Sequence, residues 1–454
     1  MDATTAHLVD YALQTEFSHL PADTVHECKR RIIDTFACAV GAYEDPLCRM
    51  ARAVASRCTG TPSASVWGST HPTTPEAAAF ANGVMLRVDD INDVYPAKSG
   101  GHPSDVISGL VAVGEAVQAD GRSLIAAITV AYDVFASLNE IFDLNSKGWD
   151  QTINAVLAGV LGAGKLLHLS REQMGHAVSL ALVPNMALFA TRAGDLALSD
   201  WKGCAAANAA RNAVFAAFLA RDGFTGPAAV FEGRHGLWDV VGEFDWKIVV
   251  GPDNPHRVTR THLKCYPMCA HGLPVTQAAL DLRDRVRVGD IAAIRIEIYR
   301  RAVDFMANDA SRWAPTTRET ADHSIPYITA VALLDGEVMP RSYAPEKLAD
   351  PVIVALMKRV EVVENPAYTK QFPQAWPVRM HVQHKQGDSV TTEVLHPKGN
   401  VMNPLSDEEL GDKFRRMFRG FGDETQCLGT LNALWAIEQA GDIGSIVRLF
   451  QKAV

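Results

Sequence analysis

The chain has 454 residues, 48 % hydrophobic and 21 % charged, which is enough apolar material for a large packed core in two or three domains and too much for a disordered chain. Its formal net charge of −9 argues against a nucleic-acid partner, because phosphate backbones select basic surfaces. A few cations in a cleft can still hold a carboxylate inside an acidic protein, so small anionic substrates stay open.

The opening stretch MDATTAHLVDYALQTEF has no basic segment followed by an apolar run and is not Arg-rich, so it does not read as a signal or transit peptide. The apolar stretch Ala155–Leu167 is interrupted by glycines and by Lys165, and it is too short to span a bilayer. The expectation is a cytoplasmic protein with no membrane partner. Eight cysteines occur with no CxxC pair, and no HExxH helix is present. Zinc and iron–sulfur sites are therefore not expected, and the thiols read as free cysteines in a reducing compartment.

From the start to about residue 260 the pattern is helical. Within Ala22–Tyr43, Val25, Cys28, Ile32, Ile33, Phe36 and Val40 recur at three- and four-residue spacing, which is one apolar helix face. Further helices are predicted near Glu76–Val88, Val106–Ala119, Ser123–Phe142, Gln151–Leu167, Arg171–Leu182 and Trp201–Asp222, several rich in Ala and Gly that allow close helix contact. After Thr261 the period changes. Ile294, Ile296 and Ile298 alternate as in a half-buried strand, and Val360–Val363 is β-branched. Val378, Met380 and Val382 alternate, Gln386-Gly387-Asp388 turns, and Val390–Val394 returns as the second arm of a hairpin. Helices near Ile325–Leu334 and Asp350–Met357 lie between these strands. Ser406 with Glu409 forms a capping-box signature, and the helical pattern resumes there. The expected architecture is mainly α: a large all-helical domain from residues 1–262 and 403–454, and a smaller α+β domain from 263–402. Their junction is a natural place for a ligand cleft.

The segment DDINDVYPAKSGGHPSD crowds Asp89, Asp90, Asn92, Asp93, Lys98, His102, Ser104 and Asp105 around a Gly-Gly turn that leads into an apolar helix. Taken alone it is either a turn with a helix cap, or a site where a helix N-terminus and His102 meet a carboxylate with Asp90 nearby. Its wording resembles the DFNDT…GHPSD segment of 2-methylcitrate dehydratases and, more loosely, the matching segments of cis-aconitate decarboxylases and iminodisuccinate epimerases. GWDQT at 148–152, the helix start WKGCAAANAA with Lys202, LKCYPMCAHG from Leu263, and RETADHSIPY at 318–327 resemble further segments of that group in the same order. On these motifs the chain is identified as a member of the MmgE/PrpD family.

The resemblance implies a helical bundle with a smaller α+β lid, a homodimer, no metal and no organic cofactor. It implies a hydro-lyase that dehydrates a hydroxy-polycarboxylate such as 2-methylcitrate or citrate. It casts Asp90, His102, Lys202 and Tyr327 as catalytic, and Asn92, Asp93, Ser104, Asp150, Lys264, Tyr266, His271 and His323 as substrate-binding. Val94 stands where relatives have Thr, Gln151 where dehydratases have His, and His271 two residues before the common His. Two alternatives stay open: decarboxylation or epimerisation in the same pocket, and a non-catalytic binding protein that keeps the fold. His102 and Lys202, at helix mouths, are expected to converge on one cleft without belonging to the core, with Trp201 shielding the lysine.

Overall fold

The computed structural model describes residues 1–192, 198–243 and 245–452. Helix accounts for 56 % of it and strand for 10 %, as the hydrophobic periods predict. Each predicted helix is present, and their ends shift by a few residues. The apolar segment 106–119, for example, begins as a 3-10 turn, Pro103–Val106, and continues as the α-helix Ile107–Ala116.

The helical part is built around Gly121–Ile141 and Thr152–Leu166, both buried over nearly their whole length. Gly121–Ile141 is long and apolar enough to cross a membrane by length and composition, but 89 % of its apolar window is buried inside the fold. Small residues set the helix spacing. Helix Pro75–Arg87 packs on Trp201–Arg221, and a Cβ on Gly83 would meet the Ala207 Cα and Cβ atoms at 2.9 Å. Backbones approach this closely only where one side has no side chain.

A second hydrophobic cluster surrounds a four-stranded sheet. Its order is Val360–Glu364, Ile291–Ile298, Val378–His384, Ser389–Val394; the first pair is parallel and the others antiparallel. Ile294, Ile296 and Ile298 share a buried face with Val378, Met380 and Val382. Helix Leu273–Arg283 packs on Val378–His384 and Ser389–Val394, and Ile325–Asp335 on Val360–Glu364.

Helix Asp407–Phe418 starts with the predicted Ser406/Glu409 capping box and packs against Ala22–Gly41. Its buried Lys413 donates to Asp34 (2.6 Å) and to the carbonyls of Ile91 and Lys264 (2.8 Å each). One ammonium thus fastens the C-terminal helix to an N-terminal helix, to the Asp89–Asp105 segment and to the chain leading into the sheet region. Val94 and His262 exchange backbone hydrogen bonds at 2.9 Å, which lays those two segments side by side and brings Lys264 to Asp90.

Candidate active site

Asp89–Asp105 joins two buried helices, so its polar side chains are forced inward, where each needs a partner. Asp90, in a left-handed conformation at φ 49°, is the hub. Arg87, three residues earlier, reaches its Oδ1 at 2.7 Å, and Lys202 reaches Oδ2 at 3.1 Å. Lys264 forms an ion pair with the same carboxylate, and also donates to the carbonyls of Asp90 (2.9 Å) and Met268 (3.0 Å). Burial pushes the Asp90 carboxyl up, but Arg87, Lys264 and Lys202 outweigh it and hold it well below the usual carboxylate range. Asp90 is therefore a fixed anion and a poor base.

His102 lies with Nε2 3.9 Å from Asp90 Oδ1 and Nδ1 2.6 Å from the Asp93 carbonyl oxygen. A carbonyl only accepts, so Nδ1 carries the hydrogen and Nε2 keeps its lone pair. Burial, Arg87 and Lys264 push this imidazole well below its ordinary value, so it is neutral. The His102 backbone N–H donates to Gln151 Oε1 at 2.9 Å. Asp93 accepts from Ser104 N–H (3.1 Å), Ser104 O–H (2.6 Å) and Tyr132 O–H (2.8 Å), while Asn92 donates to Ser104 and Asp105. Asn92, Asp93 and Ser104 thus brace the His102 loop from beneath. The loop's glycine is required: at Gly101 φ is 147°, and a Cβ would lie 2.0 Å from Gln151 Oε1 and 2.7 Å from Phe135 Cζ. Gly101→Ala should destabilise the fold by at least about 1–3 kcal/mol of backbone strain and displace His102. Thermal melts and kcat on that variant check it, and a variant with unchanged values of both contradicts it.

Across from His102, Lys202 bridges Asp90 and Asp322, 2.5 Å from Asp322 Oδ2. The other Asp322 oxygen, Oδ1, lies 2.5 Å from His323 Nδ1. Burial and Lys202 push the His323 imidazole down, but Cys269 and Asp322 outweigh them and its pKa is raised. Asp90, Asp322 and His323 present atoms within 4.8 Å of one another, close enough for a metal, but the Lys202 ammonium already lies between the two carboxylates. The cluster reads as an ion-paired lysine.

A cleft of ≈ 690 Å³, its open mouth included, lies over this cluster. From the helical side it is lined by Arg87, Asp90, His102, Gln151 and Arg192, and from the other side by Cys269, His271, Arg301, His323 and an aromatic wall of Phe305, Phe372 and Trp376. His271 accepts or donates at 2.8 Å to the Tyr299 hydroxyl, and burial followed by Arg301 pushes it down to about 3.

Asp90, His102, Lys202, Lys264 and His323 therefore come together, and His271 joins them at the wall. Six expected residues do not: Asn92, Asp93 and Ser104 brace the loop and are absent from the cleft lining, and three more lie elsewhere. The Tyr327 hydroxyl donates to the Ser342 carbonyl at 2.6 Å, away from the cleft lining, because its position on the helix turns it toward Tyr343. Tyr266 packs against the second hydrophobic cluster instead. Asp150 is fully buried below the cleft, where it caps Thr152 N–H at 3.1 Å and accepts from Arg192 Nε at 2.6 Å. Trp201 is 47 % exposed, so it does not shield Lys202; the core does, with the lysine only 3 % exposed. Successive helix residues point about 100° apart, so one turns out as the next turns in. Arg192 and Arg301 were not legible as site residues, since neither belongs to a distinctive motif. Arg192 Nη2 is buried without a hydrogen-bond partner among the described residues, a donor available to a carboxylate.

Comparison with known proteins places the chain in one family. The MmgE/PrpD N-terminal domain matches residues 6–248, and the MmgE/PrpD C-terminal domain matches residues 266–437. The chain belongs to the MmgE/PrpD family. The chain is 29 % identical to a 2-methylcitrate dehydratase of Cupriavidus necator over 435 residues, covering 91 % of this chain and 87 % of that protein. It is 27 % identical to the 2-methylcitrate dehydratase of Escherichia coli K12, covering 82 % and 79 %. A cis-aconitate decarboxylase-like protein, oryM, of Aspergillus oryzae is 24 % identical over 98 % of this chain and 96 % of its own length. Within the MmgE/PrpD family the paired imidazoles and the buried lysine thus sit in a chain that aligns with these relatives over most of its length.

Proposed function

We propose that this MmgE/PrpD chain is a hydro-lyase that removes water from a hydroxy-polycarboxylate of the citrate type, using its own side chains. One observation carries the reading: a neutral His102 with a free lone pair and a His323 biased toward the imidazolium line one cleft that also holds Arg87, Arg192 and Arg301. Groups biased in opposite directions are what acid–base chemistry requires of a pair.

Substrate carboxylates bind Arg192 and Arg301, which present guanidinium forks at the cleft wall. His102 Nε2 takes the proton from the carbon beside a carboxylate. Charge that moves onto that carboxylate is stabilised by the guanidinium groups, the costly part of the step. The electron pair then forms the C=C bond as the C–O bond breaks, and the departing hydroxide takes the His323 proton and leaves as water. Asp322 steadies the imidazolium before transfer, and Lys202 holds Asp322 in place. The printed names of the dehydratase relatives support this reaction class.

The test is to incubate purified, chelator-treated protein with 2-methylcitrate, citrate, cis-aconitate and iminodisuccinate and to follow products by NMR. Alkene formation from a hydroxy-acid supports the reading. Loss of CO2 from cis-aconitate or epimerisation of iminodisuccinate, with both citrates untouched, overturns it.

The pH profile follows from the shifts. The acid must be protonated, so kcat falls as pH rises through the raised His323 pKa, above the ordinary imidazole value of 6.5. His102 must be neutral, and its lowered pKa puts the acid limb well below 6.5. A kcat that keeps rising into alkaline pH contradicts these assignments.

A further inference from the structure

Eight thiols are present, and burial pushes most of them up. Cys28 rises to about 12, Cys204 and Cys265 to about 11, and Cys38, Cys48 and Cys427 also rise. Cys265 makes the comparison sharp. It is partly exposed and four residues from Cys269, yet it donates to the Lys398 carbonyl at 3.4 Å, and burial outweighs Lys413 and Lys398 in setting its thiol. Cys269 has different surroundings. It lines the cleft, and its backbone N–H donates to the Asp322 carbonyl at 3.0 Å, which pins the thiol beside the Asp322–His323 pair. His323 gives one ring nitrogen, Nδ1, to Asp322 at 2.5 Å, and its imidazole lines the same cleft as Cys269 and lowers the thiol. Cys269, His323 and Asp322 are thus arranged as thiol, base and orienting carboxylate, the order that activates nucleophilic cysteines.

We propose that Cys269 is a nucleophilic modification site of the chain, activated by His323 and Asp322, and that it takes small uncharged carbon electrophiles such as alkyl halides and Michael acceptors. The thiolate sulfur forms the new S–C bond. With an alkyl halide the C–halogen bond breaks and the halide leaves with its electron pair. With a Michael acceptor the C=C bond opens and the α-carbon takes the His323 proton. The added group then occupies the cleft and stops turnover.

The thiol's surroundings are mixed. Burial raises it; His323 lowers it; Asp90 raises it; and the His271 backbone N–H lowers it. Lys264 and Tyr299 also face it. The balance falls below the ordinary thiol value. The Cys269 thiolate is also one of the charges that raise the His323 pKa, so the thiol and the proposed acid share one imidazole, while labelling rates and turnover are read separately.

The experiment is limited carbamidomethylation of the whole protein with iodoacetamide across neutral to alkaline pH, read by peptide mapping as a rate for each cysteine. Cys269 should react at least about 10-fold faster than the partly exposed Cys58 at neutral pH, with a midpoint below the free-thiol value of about 8.5. His323→Gln should slow Cys269 about 10-fold and move the midpoint upward, leaving Cys58 unchanged as the internal standard. Cys269→Ser, checked by thermal melting, should remove the fast site alone. A Cys269 no faster than Cys58, or one whose profile is unchanged in a folded His323→Gln protein, would overturn the proposal. Citrate should protect Cys269; fast labelling that citrate does not slow would count against the polycarboxylate reading while leaving the reactive thiol in place.

Discussion

Replacing Lys202 with alanine should cost about 3–5 kcal/mol of stability and at least about 10²-fold in kcat/KM, because it strips the cation from two buried carboxylates. The sequence suggested a lysine at a helix mouth whose loss would barely move the melting temperature. The structure reverses that. Lys202 is 3 % exposed, 3.1 Å from Asp90 and 2.5 Å from Asp322, and both acids are buried. Removing one partner of a buried ion pair leaves an uncompensated charge, which costs more than the intact pair contributes. Asp90 would keep Arg87 and Lys264, but among the described residues Asp322 would keep only His323 as an ion-pair partner. The double change Lys202→Ala/Asp322→Asn should therefore recover part of the lost stability without recovering activity. Denaturant unfolding and initial rates on the two variants check this. A single variant within about 0.5 kcal/mol of wild type, the range of surface changes, would contradict it.

His102→Gln should behave differently, losing activity with little loss of stability. The glutamine adds no charge, and Asn92, Asp93 and Ser104 still brace the loop from beneath. What disappears is the basic lone pair at Nε2. Removing a general base costs about 10²–10⁴-fold in rate, and kcat should carry the loss because substrate carboxylates still meet Arg192 and Arg301. Steady-state kinetics checks the split: a raised KM with unchanged kcat would reassign His102 to binding.

Much of the fold could be read from local pattern. A three- and four-residue apolar rhythm such as Val25 to Val40 has no stable outcome but an amphipathic helix, and Ser406/Glu409 caps a helix by local chemistry alone. The parallel pairing of Val360–Glu364 with Ile291–Ile298 was not legible, because strand neighbours far apart in sequence leave no mark in either strand. The site divides the same way. Asp90 and His102 lie in one dense motif and are also neighbours in space. Tyr327 belongs to an equally distinctive motif, but a single helical rotation sends its hydroxyl to Ser342. Arg192 and Arg301 carry no motif, Cys269 has no signal of its own within LKCYPMCAHG, and the cleft collects all three from segments far apart in the chain. The opposite biases of His102 and His323 depend on burial and on cations reached through tertiary contacts, so no local reading could assign base and acid.

The most direct test of the central claim is to follow by NMR the turnover of a citrate-type hydroxy-acid by wild-type and His102→Gln proteins, chelator-treated and at equal folded concentration. The account predicts alkene and water from the wild type, and a rate at least about 10²-fold lower from a variant that melts within a few degrees of it. Wild-type rates from His102→Gln, or no conversion of either citrate by the wild type, would contradict it.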